Sequence, residues 1–463
     1  MTINAPADES EYETLAQEIH GDVLRPGDDG FDESRSIWNA MIDRTPAVVV
    51  RPTGAADVST AVEFAREHDL PIAVKGGGHN VAGNALCDDG LTIDLSPLSS
   101  VRVDPVAQTA RVESGATMGD LDHETQAFGL AIPGGVISTT GVAGLTLGGG
   151  IGWLSRKYGL AIDNLRSVDI VTANGEIVTA SETENSDLFW AIRGGSGNFG
   201  IVTSFEFDLH EVGPTVLFGP TVFPYEDAPD VLAHYREFTR DAPPECSVWV
   251  NSVAAPPLPF LPKDVHGTTV LICVGFYAGN LDEGKEVLEP IREYGDPIAD
   301  VVEPMPYVAA QSMLDDLYAE GARNYWKAQN FTELSAVTIG NIVEYADRFP
   351  TSQSEILIHH VGGAVNDVPS DATAYPHRDA EFIVTVAARW EDPAKDDECV
   401  RWVRRCHDAL AADATGGTYG NFEGDREGRE RNAYGENYDR LAELKTEYDP
   451  ENVFRHNQNV EPA

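Results

Sequence analysis

A chain of 463 residues has room for two or three domains with cores of their own, and its 42% hydrophobic content excludes a disordered polypeptide. Its charge is extreme: 76 acidic residues against 32 basic ones leave a net charge of -44. That field repels nucleic-acid phosphates and anionic headgroups, excluding both as partners, and with so few lysines it points to a protein built for concentrated salt.

In chain order, residues 1–40 read as an acidic, helical N-terminal extension. They show neither the apolar stretch nor the twin arginine of a secretion signal. Residues 41–212 alternate short β-branched runs with glycine. "PAVVVRP", "PIAVKG", "LTIDLS", "ARVESG" and "GIVTSFEFDLHEV" read as strands, and the "ANGE" turn joins two more into a hairpin. Helices are expected in "AADVSTAVEFAREHD", in "ATMGDLDHETQAFG" and from Ser186 in "SDLFWAIR". From 213 to 417 prolines and aromatics increase. Strands such as "TVLICVGFYAG", "SEILIHHVGG" and "FIVTVAARW" alternate there with helical stretches, predicting an antiparallel sheet backed by helices. Residues 418–463 return to a turn-rich, aromatic and polar texture. The five cysteines form no C-x-x-C pair, which argues against a disulfide framework and a structural metal site. No apolar run reaches membrane-spanning length. The expectation is a soluble cytoplasmic protein of α+β class.

Three glycine-rich clusters stand out in the first 200 residues. In "GGSGNFG", Gly195, Gly197 and Gly200 satisfy G-x-G-x-x-G. They follow a helix and lead into a strand, however, the reverse of the order a dinucleotide-binding Rossmann unit requires. The first cluster, "VKGGGHNVAGN", does follow a strand. Main-chain N–H groups around Gly76, Gly77, Gly78 and Asn80 could form an anion nest for a pyrophosphate, with Lys75 adding positive charge. The middle cluster, "PGGVISTTGVAGLTLGGGIGWL", offers small residues along which a flat ring could lie. On these residues alone two readings stay open: a cradle for a phosphate-bearing planar cofactor with His79 aimed into it, or ordinary tight turns with an incidental histidine.

Taken together, "VKGGGHNVAGNALCDDGLTIDLSPLSSV", "GVAGLTLGGGIGWLSRKYGLAIDNL", "DLFWAIRGGSGNFGIVT" and the C-terminal "YGNF" and "YDRLAELKTEYDPENVFRHNQ" resemble the berberine bridge enzyme-like FAD-linked oxidases, nearest the 6-hydroxy-D-nicotine oxidase type. The resemblance implies a two-part FAD-binding domain of the PCMH/VAO type, residues 41–212 completed by 418–463. Residues 213–417 would be an inserted α+β substrate-binding cap over the isoalloxazine ring. His79 matches the histidine that bonds the flavin 8-methyl carbon, and Ile137 fills the position from which a cysteine would make a second bond, so a single tether is implied. Gly76, Gly77, Gly78 and Asn80 are then expected at the pyrophosphate, Thr139, Thr140 and Gly144 around the ring, Ile201 and Val202 near the adenine, and Asn421 on the flavin.

The implied chemistry is hydride transfer to FAD from a carbon next to an alcohol or amine of a small molecule, with a protein group taking the O–H or N–H proton. Tyr419 of "YGNF" matches a family active-site tyrosine, although Phe422 stands where a second tyrosine is usual. Thr385-Val386 stands where the family often presents an amide or carboxylate. Lys327, between aromatics in "NYWKAQN", is a second catalytic candidate. His359 and His360 should face opposite sides of a strand, in structural roles. Glu355, Tyr325 and Arg389 are further polar candidates that spacing does not rank. Thr140, three residues after Ile137, sits where the family gates oxygen, and its modest size implies an oxidase that makes hydrogen peroxide. A dehydrogenase using another electron acceptor is the alternative. A flavin-binding electron carrier without turnover is the alternative from another class, and the long 213–417 segment argues against it.

Overall fold

The structure, a computed structural model, describes residues 7–424 and 430–463. Its N-terminal segment is helical only in part. Asp8 and Glu11 form a capping box on the helix Glu9–Glu18. Beyond it the Asp57 carboxylate accepts the N–H groups of His20 and Gly21 at 3.0 and 3.2 Å, and Gly21 lies so near Arg51 that a Cβ would overlap its carbonyl. These contacts pull the chain out of the helix. The expected helical extension therefore continues as an edge strand, Asp22–Leu24, antiparallel to Val48–Arg51.

Val48–Arg51, Leu91–Asp94 and Ile72–Lys75 pair in parallel, and the helix Ala55–Glu67 makes one crossover. Its Val58, Ala61, Val62 and Ala65 recur at helical spacing and join Val48, Val50 and Ile93 in one core. A second, antiparallel sheet places Ile201–Asp208 between Thr109–Glu113 and the predicted hairpin Leu165–Val171 and Ile177–Ser181. The C-terminal segment returns to this half. Leu441, Ala442 and Leu444 of the helix Tyr438–Tyr448 pack with Leu188 and Phe189, and Phe454 enters the core of the parallel sheet. There the buried Lys445 ammonium donates to Asn198 O, Phe454 O and Asp449.

The intervening segment forms an antiparallel sheet in the order Ala299–Asp300, Thr215–Pro224, Thr269–Tyr277, Cys246–Ala254, Glu355–His360, Phe382–Trp390 and Arg323–Phe331, with Glu303–Pro306 also paired to Thr215–Pro224. Helices including Ala228–Asp241, Leu281–Arg292, Ala336–Ala346 and Asp396–Leu410 cover one face; the last buries Cys399, Trp402, Val403, Cys406, His407 and Leu410 along one stripe. Side-chain alternation then decides what reaches the other face. Ile356 and Ile358 point into the helix-side core, whereas Glu355, Leu357 and His359 line a cavity shared with the first half. All five cysteines are buried and free. Among the described residues no helix is long and apolar enough to cross a membrane.

Candidate active site

One cavity of about 340 Å³ lies between the glycine clusters and the cap sheet. On the glycine side, Gly77 and Gly141 abut. A Cβ on Gly77 would lie 2.6 Å from the Gly141 Cα and nearer still to its nitrogen, so the first and middle clusters can meet only as glycines. Gly78 adopts the left-handed region at φ 70°. Beyond this contact the N–H groups of Gly77, Gly78, His79 and Asn80 find no acceptor among the described residues. Together they form the kind of nest that receives an anion. His79 lines the cavity, stacks on Trp38 with centroids 5.3 Å apart, and places Nε2 2.8 Å from Thr139 Oγ1. Burial pulls its pKa down to about 4, with Asp315 opposing, so the ring is neutral near pH 7.

The rest of the lining is aromatic: Trp249 and Trp326 of the cap sheet, Trp38 from the N-terminal segment and Phe422 from the C-terminal one, with Leu314 and Leu357. Two polar groups on one strand interrupt this surface. Glu355 accepts from Tyr318 Oη at 2.7 and 2.8 Å and from Asn251 Nδ2 at 2.6 Å. Burial raises its pKa, opposed by those two donors and by Arg389. Four residues on, His359 uses Nδ1 to donate to the Ile383 carbonyl at 3.2 Å, leaving Nε2 as the acceptor nitrogen of a ring that lines the cavity. Burial lowers its pKa to about 4. Its ring packs edge-on to Trp249 and against Phe422, which in turn touches Tyr419. His360 faces the opposite way, packed against Tyr235 and Phe382, so alternation separates the pair as expected, with both sides buried.

The structure brings most of the candidate residues to this cavity. Gly76, Gly77, Gly78, His79, Asn80, Thr140, Gly144, Ile201, Val202, Tyr419 and Asn421 all line it. Three do not. Lys75 alternates away from Val74, donating to Ser34 O at 2.8 Å with Asp94 3.7 Å off, and brings no charge to the nest. Thr139 lies behind His79, bonded to its ring. Lys327 sits opposite Val386 on the helix-side face, its ammonium 2.7 Å from Glu423 and buried; strand alternation removes it as a catalytic base. Tyr419 is fully buried, its oxygen accepting from Gly150 N and Asn421 Nδ2, both at 3.0 Å. Burial raises its pKa against these donors, so it holds the Gly150 turn and Asn421 in place. Sequence reasoning missed Trp38, Tyr318 and Asn251. Trp38 stands in a polar stretch with no periodic pattern, and its Nε1–H bond to Tyr318 O spans 280 residues, so no local signal could reveal it.

Residues 46–181 match the FAD binding domain family, and residues 418–461 match the family described as berberine and berberine like. Over 455 residues the chain is 33% identical to an FAD-linked oxidoreductase of Dictyostelium discoideum, covering 97% of this chain and 96% of that one. The chain belongs to the berberine bridge enzyme-like FAD-linked oxidoreductases. Across 461 residues this oxidoreductase is 32% identical to (R)-6-hydroxynicotine oxidase of Paenarthrobacter nicotinovorans, covering 96% and 97% of the two chains. Among solved structures it resembles 6-hydroxy-D-nicotine oxidase from Arthrobacter nicotinovorans, with TM-score 0.86, 28% identity and coverage of 96% and 98%. It also resembles xylooligosaccharide oxidase from Myceliophthora thermophila in complex with xylobiose, with TM-score 0.86, 27% identity and coverage of 98% and 99%.

The residues of this FAD-linked oxidoreductase fit the cofactor. The nest of N–H groups suits a pyrophosphate. A Cβ on Gly144 or Gly197 would meet no protein atom within 4 Å, and both glycines line the cavity, so their bareness leaves room for a ligand.

Proposed function

We propose that this FAD-linked oxidoreductase takes hydride from a carbon bearing an alcohol or amine of a ring-containing small molecule, holds FAD through His79 alone, and passes the electrons to dioxygen. Residues 41–212 with 418–463 form the FAD-binding half, residues 213–417 the cap, and the protein works in the cytoplasm. The observation that carries the reading is one cavity with an amide nest and His79 on one wall and a neutral, acceptor-ready imidazole on the other.

Bound FAD supplies the hydride acceptor. His359 Nε2 takes the substrate O–H or N–H proton, its tautomer fixed by the Nδ1 bond to Ile383. Glu355, held by Tyr318 and Asn251, offers a carboxylate to a hydroxyl or ammonium elsewhere on the substrate. Trp38, Trp249, Trp326 and Phe422 stack on the ring and exclude water. The relatives named for 6-hydroxynicotine and xylooligosaccharide point to cyclic amines and sugars as the compounds to try first.

The test is a panel including 6-hydroxynicotine and xylobiose, mixed anaerobically with the protein in concentrated KCl while flavin absorbance is followed. Bleaching by one member is expected; no bleaching by any member speaks against catalysis on these classes. Thr140 lines the cavity, so replacing it with isoleucine should slow reoxidation by dissolved oxygen. Slow reoxidation of the wild type, unchanged in Thr140→Ile, would favour a different electron acceptor.

A further inference from the structure

Thr139 falls outside the cavity wall, yet its hydroxyl makes a 2.8 Å contact with His79 Nε2. The backbone on either side of it is tied down. Thr140 O accepts from Met118 N at 2.9 Å, Ser138 O accepts from Gly119 N at 2.8 Å, and Ser138 N donates to Asp315 at 2.8 Å. The His79 ring is fixed on a second side by its stack on Trp38. One ring nitrogen is therefore occupied and the other, Nδ1, is the only one left to react.

We propose that Thr139 is the positioning residue for covalent attachment of FAD: it accepts the Nε2–H bond of neutral His79 and so presents the Nδ1 lone pair to the flavin methyl carbon. The inference rests on the His79 tether proposed above. In the step, a C–H bond of the methyl group breaks and an Nδ1–C bond forms. The two electrons of the broken bond pass to the isoalloxazine ring, which takes up two protons, equal to those given up by the methyl group and by Nε2. The ring is left reduced, and dioxygen then accepts the two electrons and two protons as hydrogen peroxide. A hydroxyl suits both stages, since it is acceptor and donor at once. Before attachment it accepts from Nε2–H; afterwards, when Nε2 carries only a lone pair, it can rotate and donate. Valine at the same position keeps the shape and loses both bonds.

The experiment compares the full-length wild type with Thr139→Val, Thr139→Ala, Thr139→Ser and His79→Ala, all produced identically and sampled at equal short times. FAD content is measured first, then the fraction of flavin remaining with the acid-precipitated chain, and the flavin peptide is analysed for its attachment nitrogen. The wild type is expected to keep its flavin through Nδ1 and His79→Ala to release it. Thr139→Val and Thr139→Ala should bind FAD yet attach it about tenfold more slowly, the scale of one lost hydrogen bond, and through both nitrogens. Thr139→Ser should restore wild-type attachment. Wild-type attachment through Nδ1 alone in both the valine and alanine variants would overturn the role of Thr139 while leaving the tether intact. Failure of serine to restore attachment would also overturn it. Flavin released from the wild type would remove the tether, and this inference with it.

Discussion

The wall that carries His79 and the wall that carries His359 hold their imidazoles by different means. On the first, two backbone segments touch glycine to glycine, and the histidine is gripped by the Thr139 hydroxyl of the second segment and by the Trp38 indole from the N-terminal segment. On the second, a regular strand delivers Glu355, Leu357 and His359 to the cavity by alternation alone, and neighbouring strands and the Tyr318 turn hold them there. A glycine turn shaped for one ligand tolerates almost no added atoms. A strand face accepts new side chains at every second position, so one fold can serve different substrates.

The largest expected effect tests the strand wall. His359→Gln should lower the rate of flavin reduction by roughly a hundred- to ten-thousandfold while FAD stays bound, and added imidazole should restore part of the rate in His359→Ala. A rate within a few-fold of wild type in His359→Gln would place the proton acceptor elsewhere. On the far side of the same sheet, Lys327→Met should cost about 3–5 kcal/mol of stability by stripping Glu423 of a buried ammonium, measured by denaturant unfolding. Flavin reduction by the folded fraction should be nearly unchanged, because Lys327 faces the helices.

A buried carboxylate ties the first half of the chain to the intervening segment. Asp122 accepts from Gln311 Nε2 at 3.1 Å, and the same amide donates to Gly135 O, whose residue lines the cavity. Gln311 Oε1 is buried without a partner among the described residues, and burial pushes the Asp122 pKa up to about 7. A protonated Asp122 can donate to that oxygen, closing an acid–amide pair. The folded chain then holds a proton that the unfolded chain releases between about pH 4 and 7, so this group makes stability fall as pH rises through that window and level off above it. Asp122→Asn should be more stable than wild type at pH 8, by at most about 4 kcal/mol, with the gap closing toward pH 4. A gap independent of pH would show that Asp122 ionises in the folded state as it does in the unfolded one.

Smaller effects are expected on the glycine wall. Gly77→Ala should cost about 1–3 kcal/mol or more, as the new Cβ meets backbone that cannot yield. Gly144→Ala meets no protein atom and should leave the melting temperature of the flavin-free protein alone while lowering the amount of FAD incorporated. Equal effects on melting would mean that the cavity exerts no constraint of its own. Smallest per charge, and spread over both halves, is salt. With a net charge of -44 the melting temperature should fall steadily as KCl is diluted, as screening lengthens from about 3 Å at 1 M to about 10 Å at 0.1 M. A melting temperature insensitive to KCl would contradict a fold built for concentrated salt.

The strand and helix pattern and the glycine turn before His79 were legible in the sequence, because β-branched alternation and glycine clusters are local properties; the discontinuous FAD-binding half was implied only by the resemblance of its separated motifs to a known family. That His359 and His360 face opposite ways was also legible, since period-two alternation needs no knowledge of the partner strand. Which of the two meets the cavity was not local. It depends on the helices Ala228–Asp241 and Asp396–Leu410 covering one face of the sheet and the FAD-binding half the other. Lys327 shows the same limit: aromatic neighbours and rarity suggested a reactive lysine, and the register with Val386 turned it toward Glu423. Lys75 follows a strand into the nest, but alternation sends its ammonium to Ser34. Trp38 and Tyr318, 280 residues apart, meet over His79 and Glu355 only in the assembled fold. The sequence determined what each segment could become, through backbone preference and side-chain period. Tertiary packing decided which faces met, because pairing across hundreds of residues is governed by burial and hydrogen-bond completion in the whole fold.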